Sequence, residues 1–156
     1  MSDRYRVVPA AYVILQRPGP VDQVLLQLRH GTGFRDGYWA CGAAGHVEAG
    51  ESVQQAAVRE AREELGVDID VADLHALTTL HRTERTGLAI DERVDFFFTC
   101  RRWSGRASPQ ETKAAELRWV ELDRLDELPG PVVPHERHVL ELLAAGNVPA
   151  VTSFGF

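Results

Sequence analysis

The sequence predicts an α/β layered domain, and three observations predict it. Strand-like apolar runs recur along the chain, and two helical segments lie far apart in it. Its 156 residues suit one domain, spanning 1–156, with room for a real core and little left for a second.

VVPAAYVILQ (7–16) is a continuous apolar run bounded by RPGP and reads as a buried strand; VLLQLR (24–29) is a second. PGPVD between them is a turn, so the two form a hairpin. HGTGFRDGYWA follows as a loop. Its Gly31, Gly33 and Gly37 lack the strand-to-helix GxGxxG context of a phosphate cradle. YWACGAAG reads as a short strand, and a helix follows. VADLHALTTLHRT and ERVDFFFTCRRW are two further strands joined by the polar TERTGLAIDE. Alternate strand residues face opposite sides, so Phe97 cannot share a face with Phe96 and Phe98. RRWSGRASPQETKAAELRW leads into a short strand, LRWV, and ELDRLDELP is a turn or short helix ended by Pro129. HERHVLELLAAG is a C-terminal helix closed by Gly146. The ending NVPAVTSFGF has no periodicity and is expected to pack only loosely.

Composition removes several function classes. No apolar run approaches the ~20 residues needed to span a bilayer, and the N-terminus lacks a secretory signal pattern. A cytoplasmic protein with no membrane partner is therefore expected. The formal charge of −6 weighs against stable nucleic-acid binding. It leaves an anionic small molecule open, because a bound divalent cation reverses the local sign. Cys41 and Cys100 have no CxxC partner, so they read as small buried residues. The six histidines make no HxH or HxxxH pattern, which disfavours a zinc site; His81 and His138 read as structural.

The stretch GHVEAGESVQQAAVREAREELGVD (45–68) holds the most specific signal. Ser52 is a suitable N-cap with Gln55 completing a capping box, and Gly66 sits where a left-handed C-terminal cap belongs. On a 3.6-residue period Glu60, Glu63 and Glu64 share one face. Neighbours at such spacings lie ~5–6 Å apart. Each like-charge pair costs about 0.7 kcal/mol in water and about 3 kcal/mol at an effective dielectric of 20. A solvated acidic face partnered by Arg59 and Arg62 is one explanation. The carboxylates crowd the C-terminal half of the helix, however, where the dipole disfavours them. A hard-cation site is the other explanation, since Mg²⁺ takes oxygen ligands.

Gly45, five residues, Glu51, seven residues, then Arg59-Glu60-Ala61-Arg62-Glu63-Glu64-Leu65-Gly66-Val67 resembles the complete Nudix box. The resemblance, to small MutT-like Nudix hydrolases, implies an α/β/α sandwich with a mixed β-sheet. It implies hydrolysis of a nucleoside diphosphate linked to another group, with Mg²⁺ or Mn²⁺. Glu60, Glu63, Glu64 and the Gly45 carbonyl would be metal ligands, and Arg59 would orient them through Glu51. The general base is left between Glu63, Glu64 and a loop carboxylate. Glu111 is the preferred loop residue; Glu84, Asp91 and Glu92 are the others.

The substrate expected from this resemblance is a nucleoside triphosphate, canonical or oxidised, cleaved to monophosphate and pyrophosphate. A nucleotide sugar or dinucleotide is the rival within enzymes, and a non-catalytic nucleotide-binding module is the rival outside them. Allylic-isomerase relatives are disfavoured, because the box is unmodified and no catalytic Cys pairs with a later Glu. Arg29 is expected to contact a phosphate, with Phe34 or Tyr38 stacking on a base; Trp39 is expected in the core. Where relatives read the base with Asp or Asn, this chain has PHERH, with His135 and Glu136. Homodimers are common among relatives, and nothing in the sequence decides that point.

Overall fold

The apolar runs fold as one mixed sheet in the computed structural model, which describes residues 3–110 and 114–156. β1 is Val8–Arg17, β2 Gln23–Arg29, β3 Trp39–Cys41 and β4 Ala43–His46, followed by helix α1, Val53–Leu65. Then come β5 (Leu74–Thr83), β6 (Glu92–Cys100), β7 (Ala114–Glu121), helix α2 (Pro134–Ala145) and β8 (Val151–Phe154). No helix among the described residues is long and apolar enough to cross a membrane.

The hairpin of β1 and β2 forms, but only at its turn, where Gln16 pairs with Val24 and Arg17 with Gln23. Beyond that point the strands part. β1 pairs antiparallel with β4 and parallel with β6, while β2 takes β3 and β7. β5 lies antiparallel to β6. β7 is longer than LRWV, because β2 supplies it with a partner back to Ala114. ELDRLDELP contains a 3₁₀ turn, Leu122–Glu127.

Alternation along β1 sorts the core into two layers. Ala10, Tyr12 and Ile14 pack with Val139 and Leu140 of α2. Ala11, Val13 and Leu15 pack with Ala57, Ala61 and Leu65 of α1. The helices therefore cover opposite faces, giving an α/β/α sandwich. Phe97 stacks on Tyr12 at 4.3 Å between ring centroids, whereas Phe96 and Phe98 face the α1 layer. Cys41 and Cys100 are both buried as free thiols.

The C-terminal end corrects the expectation of loose packing. β8 pairs parallel with β5, from Thr79↔Val151 to Arg82↔Phe154. Its four residues are too few to show a period, and none is fully buried. The segment is held by backbone hydrogen bonds to a sheet edge and by Phe154 against His138, features that hydrophobic patterning does not encode. His81 likewise has structural neighbours, the Tyr5 hydroxyl and the Phe156 ring.

Candidate active site

Local rules build α1. The Ser52 hydroxyl accepts from the Gln55 amide at 3.1 Å, and the Gln55 side chain accepts from the Ser52 amide at 2.8 Å. Gly66, at φ +69°, turns the chain left-handed and donates to the Arg62 carbonyl at 3.0 Å. Buried Ala57, Ala61 and Leu65 seat one face on the sheet, leaving Glu60, Glu63 and Glu64 at its flank.

Arg59 is the hub of those carboxylates. Its Nε and Nη2 donate to the two Glu51 oxygens at 3.1 and 2.7 Å, a bidentate pair. Its Nη1 donates to Glu60 at 2.7 Å and to Glu63 at 3.2 Å, and Nη2 also reaches the His46 carbonyl at 3.0 Å. The Glu51 hydrogen bonds raise the Arg59 pKa further, and the same guanidinium holds the Glu51 carboxyl below its ordinary range. Gly45 touches the same cluster. A side chain there would fall inside the Glu60 carboxylate, so the close approach requires glycine.

Glu64 has a different partner. Its Oε2 accepts from Gln27 Nε2 at 3.0 Å and from the Ala44 amide at 3.4 Å. Gln27, on β2, also donates to the Cys41 carbonyl at 3.3 Å. Sequence reasoning missed Gln27, although a polar residue inside the apolar run VLLQLR was the available signal.

The donor set of Glu60, Glu63 and Glu64 is all oxygen, which suits a hard divalent cation. Among the described residues no three acidic, histidine or cysteine side chains already form a cation cage. Arg59 instead bridges Glu51, Glu60 and Glu63. The residues fit such an ion by chemistry and by sharing one helix flank.

Gly45 and Gln27 also border a cavity of about 430 Å³ on the α2 side of the sheet. Arg29 and Phe34 line it; the Arg29 guanidinium lies 5.6 Å from the Phe34 ring centre and donates to the Phe34 carbonyl at 2.8 Å. Tyr38 is not among the lining residues and faces the Arg35 guanidinium, while Trp39 is fully buried in the core. Of the loop carboxylates, Asp91 lines the cavity and accepts from Thr86 at 2.6 Å. Glu84 accepts from Arg82, and Glu92 accepts from Tyr5 and Thr83. Glu111 lies outside the described residues.

The inner wall carries His135 and Glu136, from the first turn of α2. His135 Nε2 is 3.1 Å from the Tyr12 hydroxyl, and Glu136 accepts from the Cys41 amide at 2.8 Å. Burial pushes the Glu136 carboxyl up to about 7. Burial, joined by nearby guanidinium charge, pushes His135 well below its ordinary value.

Residues 6–143 match the NUDIX domain family. The chain belongs to the Nudix family. It is 34% identical over 140 residues to the NAD-capped RNA hydrolase NudC of Pseudomonas aeruginosa, covering 90% of this chain and 45% of NudC. This Nudix chain thus spans less than half the length of that relative. A MutT NUDIX hydrolase from Burkholderia pseudomallei shares the fold with a TM-score of 0.74 at 24% identity, over 87% of this chain and 97% of that one. The NUDIX domain of Shewanella oneidensis NrtR, solved with ADP ribose, gives a TM-score of 0.70 at 19% identity, over 90% and 88% of the two chains.

Proposed function

We propose that this Nudix protein is a pyrophosphohydrolase that uses Mg²⁺ or Mn²⁺ to cleave a nucleoside diphosphate linked to a second group. The observation that carries the reading is the Arg59 hub, which gathers Glu51, Glu60 and Glu63; Gly45 beside Glu60 and Gln27 on Glu64 connect the carboxylates to the cavity that both line. Glu60, Glu63, Glu64 and the Gly45 carbonyl would hold the ion. Bound there, it would supply charge neutralisation on the diphosphate and a more acidic water. Arg59 and Glu51 act as positioning residues, and Gln27 does the same for Glu64. Glu63 or Glu64 takes the proton from the attacking water, with Glu111 as the loop alternative. Arg29 receives a phosphate and Phe34 stacks on a base at the cavity mouth. Tyr38 supports that loop through Arg35.

A nucleoside triphosphate, cleaved to monophosphate and pyrophosphate, is the first substrate class. A dinucleotide is the second, favoured by the 34% identity to an NAD-capped RNA hydrolase. A nucleotide-binding module without turnover is disfavoured by the intact box. A cytoplasmic setting, where nucleotides and Mg²⁺ meet, fits the reading.

The test is hydrolysis of nucleoside triphosphates, ADP-ribose, nucleotide sugars and dinucleotides by the purified protein, with and without Mg²⁺. Metal-dependent release of a nucleoside monophosphate is expected. Glu63→Gln and Glu64→Gln should each lower turnover by roughly 10²–10⁴-fold while circular dichroism stays unchanged. Folded, metal-loaded protein that turns over no member of the panel would sink the reading.

A further inference from the structure

The α2 face of the sheet changes character along its strands. Leu80 and Phe97 belong to the apolar core, and Asp95, Arg93 and Arg82 follow on the same face. Arg82 and Arg93 are directly paired across β5 and β6, and both line the cavity. Their side chains retain only 6% and 12% exposure. Asp95, wholly buried between them, bonds to Arg82 Nε but stands 3.8 Å from Arg93 Nε. Among the described residues, the buried Arg93 Nε and Asp95 Oδ1 find no hydrogen-bond partner. Nothing in the proposed hydrolysis uses this pair, and burying two guanidiniums whose carboxylate partners are Asp95 and, for Arg82 alone, Glu84 is costly.

The α2 end of the cavity points to the same kind of ligand. Helix α2 starts beside the pair, and its N-cap residue Val133 supplies no side-chain hydrogen bond. Its first-turn residues His135 and Glu136 line the cavity, so the positive end of the helix faces it. His135 in the same wall is held well below its ordinary value, first by burial and then by charge that includes Arg82 and Arg93. Arg29, Arg82 and Arg93 bring three guanidiniums to the lining of this cavity in a protein of net charge −6. The acids that face it are Asp95 beneath the pair, Glu84 on Arg82, Asp91 at the mouth, and Glu136, which burial keeps partly protonated near neutral pH.

The sheet also gives a span. His46, Ala10, Asp95 and Leu80 form one row across β4, β1, β6 and β5. Three inter-strand steps put β5 on the order of 14 Å from β4, the strand of Gly45. Arg93, on β6, lies two such steps from β4, about 10 Å.

We propose that Arg82, Arg93 and the N-terminus of α2 form an anion subsite, which takes a phosphate or carboxylate on the half of the substrate remote from the scissile diphosphate. The subsite rests on the pyrophosphohydrolase reading for its place in a substrate. It favours two-part substrates whose far half carries a further phosphate or carboxylate, over a triphosphate and over ADP-ribose, whose far ends bring no anion to this wall.

The test uses metal-free protein, so that the carboxylate helix takes no part, and titrates inorganic phosphate by calorimetry, with malonate in a parallel arm. One phosphate is expected to bind the wild type. Arg93→Gln should weaken it about tenfold or more, as loss of a charge-assisted partner predicts, and Glu63→Gln should leave it unchanged. Arg82→Gln alone would strand the Asp95 charge, so Arg82→Gln/Asp95→Asn is the second variant, with the same weakening expected. Tighter malonate than phosphate, still dependent on Arg93, would assign the subsite to a carboxylate. No phosphate or malonate binding by the wild type, or equal binding by folded Arg93→Gln, overturns the subsite. Because no step requires turnover, the panel of nucleotides can fail while the anion titration succeeds, and the reverse.

Discussion

Gly45 and Glu136 are the two residues whose surroundings make the sharpest demands. Gly45→Ala has no room beside the Glu60 carboxylate, so Glu60 must shift. The expected outcome is a rise in the Mg²⁺ concentration needed for half-maximal turnover, by roughly tenfold for the loss of one well-placed ligand. A kinetic titration with Mg²⁺ checks it. Glu136 makes a pH statement. Its carboxyl titrates at about 7 when folded, against an ordinary 4.5, so the folded protein holds a proton that the unfolded chain has released. This contribution is present below about pH 4.5 and is lost as pH rises through about 7, on the order of 3 kcal/mol in all. His135 runs the other way, its contribution present above 6.5 and lost as pH falls through its lowered folded value. Urea unfolding at pH 5 and pH 8 is therefore expected to show Glu136→Gln gaining on the wild type by on the order of 3 kcal/mol. A constant difference between the two proteins would contradict that assignment.

Helix α1 shows how much an element owes to its ends. Both halves of the capping box are made, and the left-handed turn at Gly66 places Gln110 within reach of the glycine. Ser52→Ala is expected to cost about 1 kcal/mol, lowering Tm by about 2–4 °C in a domain of this size. Turnover per folded molecule should hardly change, because the Ser52 hydroxyl bonds the Gln55 amide and takes no part in the Arg59–Glu51 hydrogen bonds; a melt and a kcat measurement separate the effects. Gly66→Ala should cost a similar amount through the left-handed backbone, with the added need to move the Gln110 side chain. The helix was legible in the sequence because caps and apolar spacing are local signals. The division of β1 between β2 and β4 was not, since the hairpin signal covers only the turn.

Across the molecule, β8 closes the β5 edge of the sheet. Removing residues 147–156 would expose the β5 backbone and the Phe154 contact with His138. A lower Tm and concentration-dependent self-association by size-exclusion chromatography are expected, because an open strand edge is a pairing surface. At this scale the two charge fields also separate. Acidic residues collect at the flank of α1, while arginines collect on the α2 face of the sheet, on strands far from the box in sequence.

The carboxylate helix and its caps could be read from a 23-residue window, because each depends on spacing along one turn, while Gly45 followed from the resemblance. Arg59 as partner of Glu51 followed from the resemblance to the Nudix box, and the structure joins them through two hydrogen bonds. Gln27 on Glu64, Glu136 on the Cys41 amide and the Arg82–Asp95–Arg93 cluster were not. Each joins strands or helices whose register is set by sheet pairing. Polar residues such as Gln27 and Asp95 stand out in apolar strands, but nothing local names their partners. A helix carries its neighbours within four residues; a cavity wall is assembled only when distant strands come side by side, and that assembly decided which charges face one another.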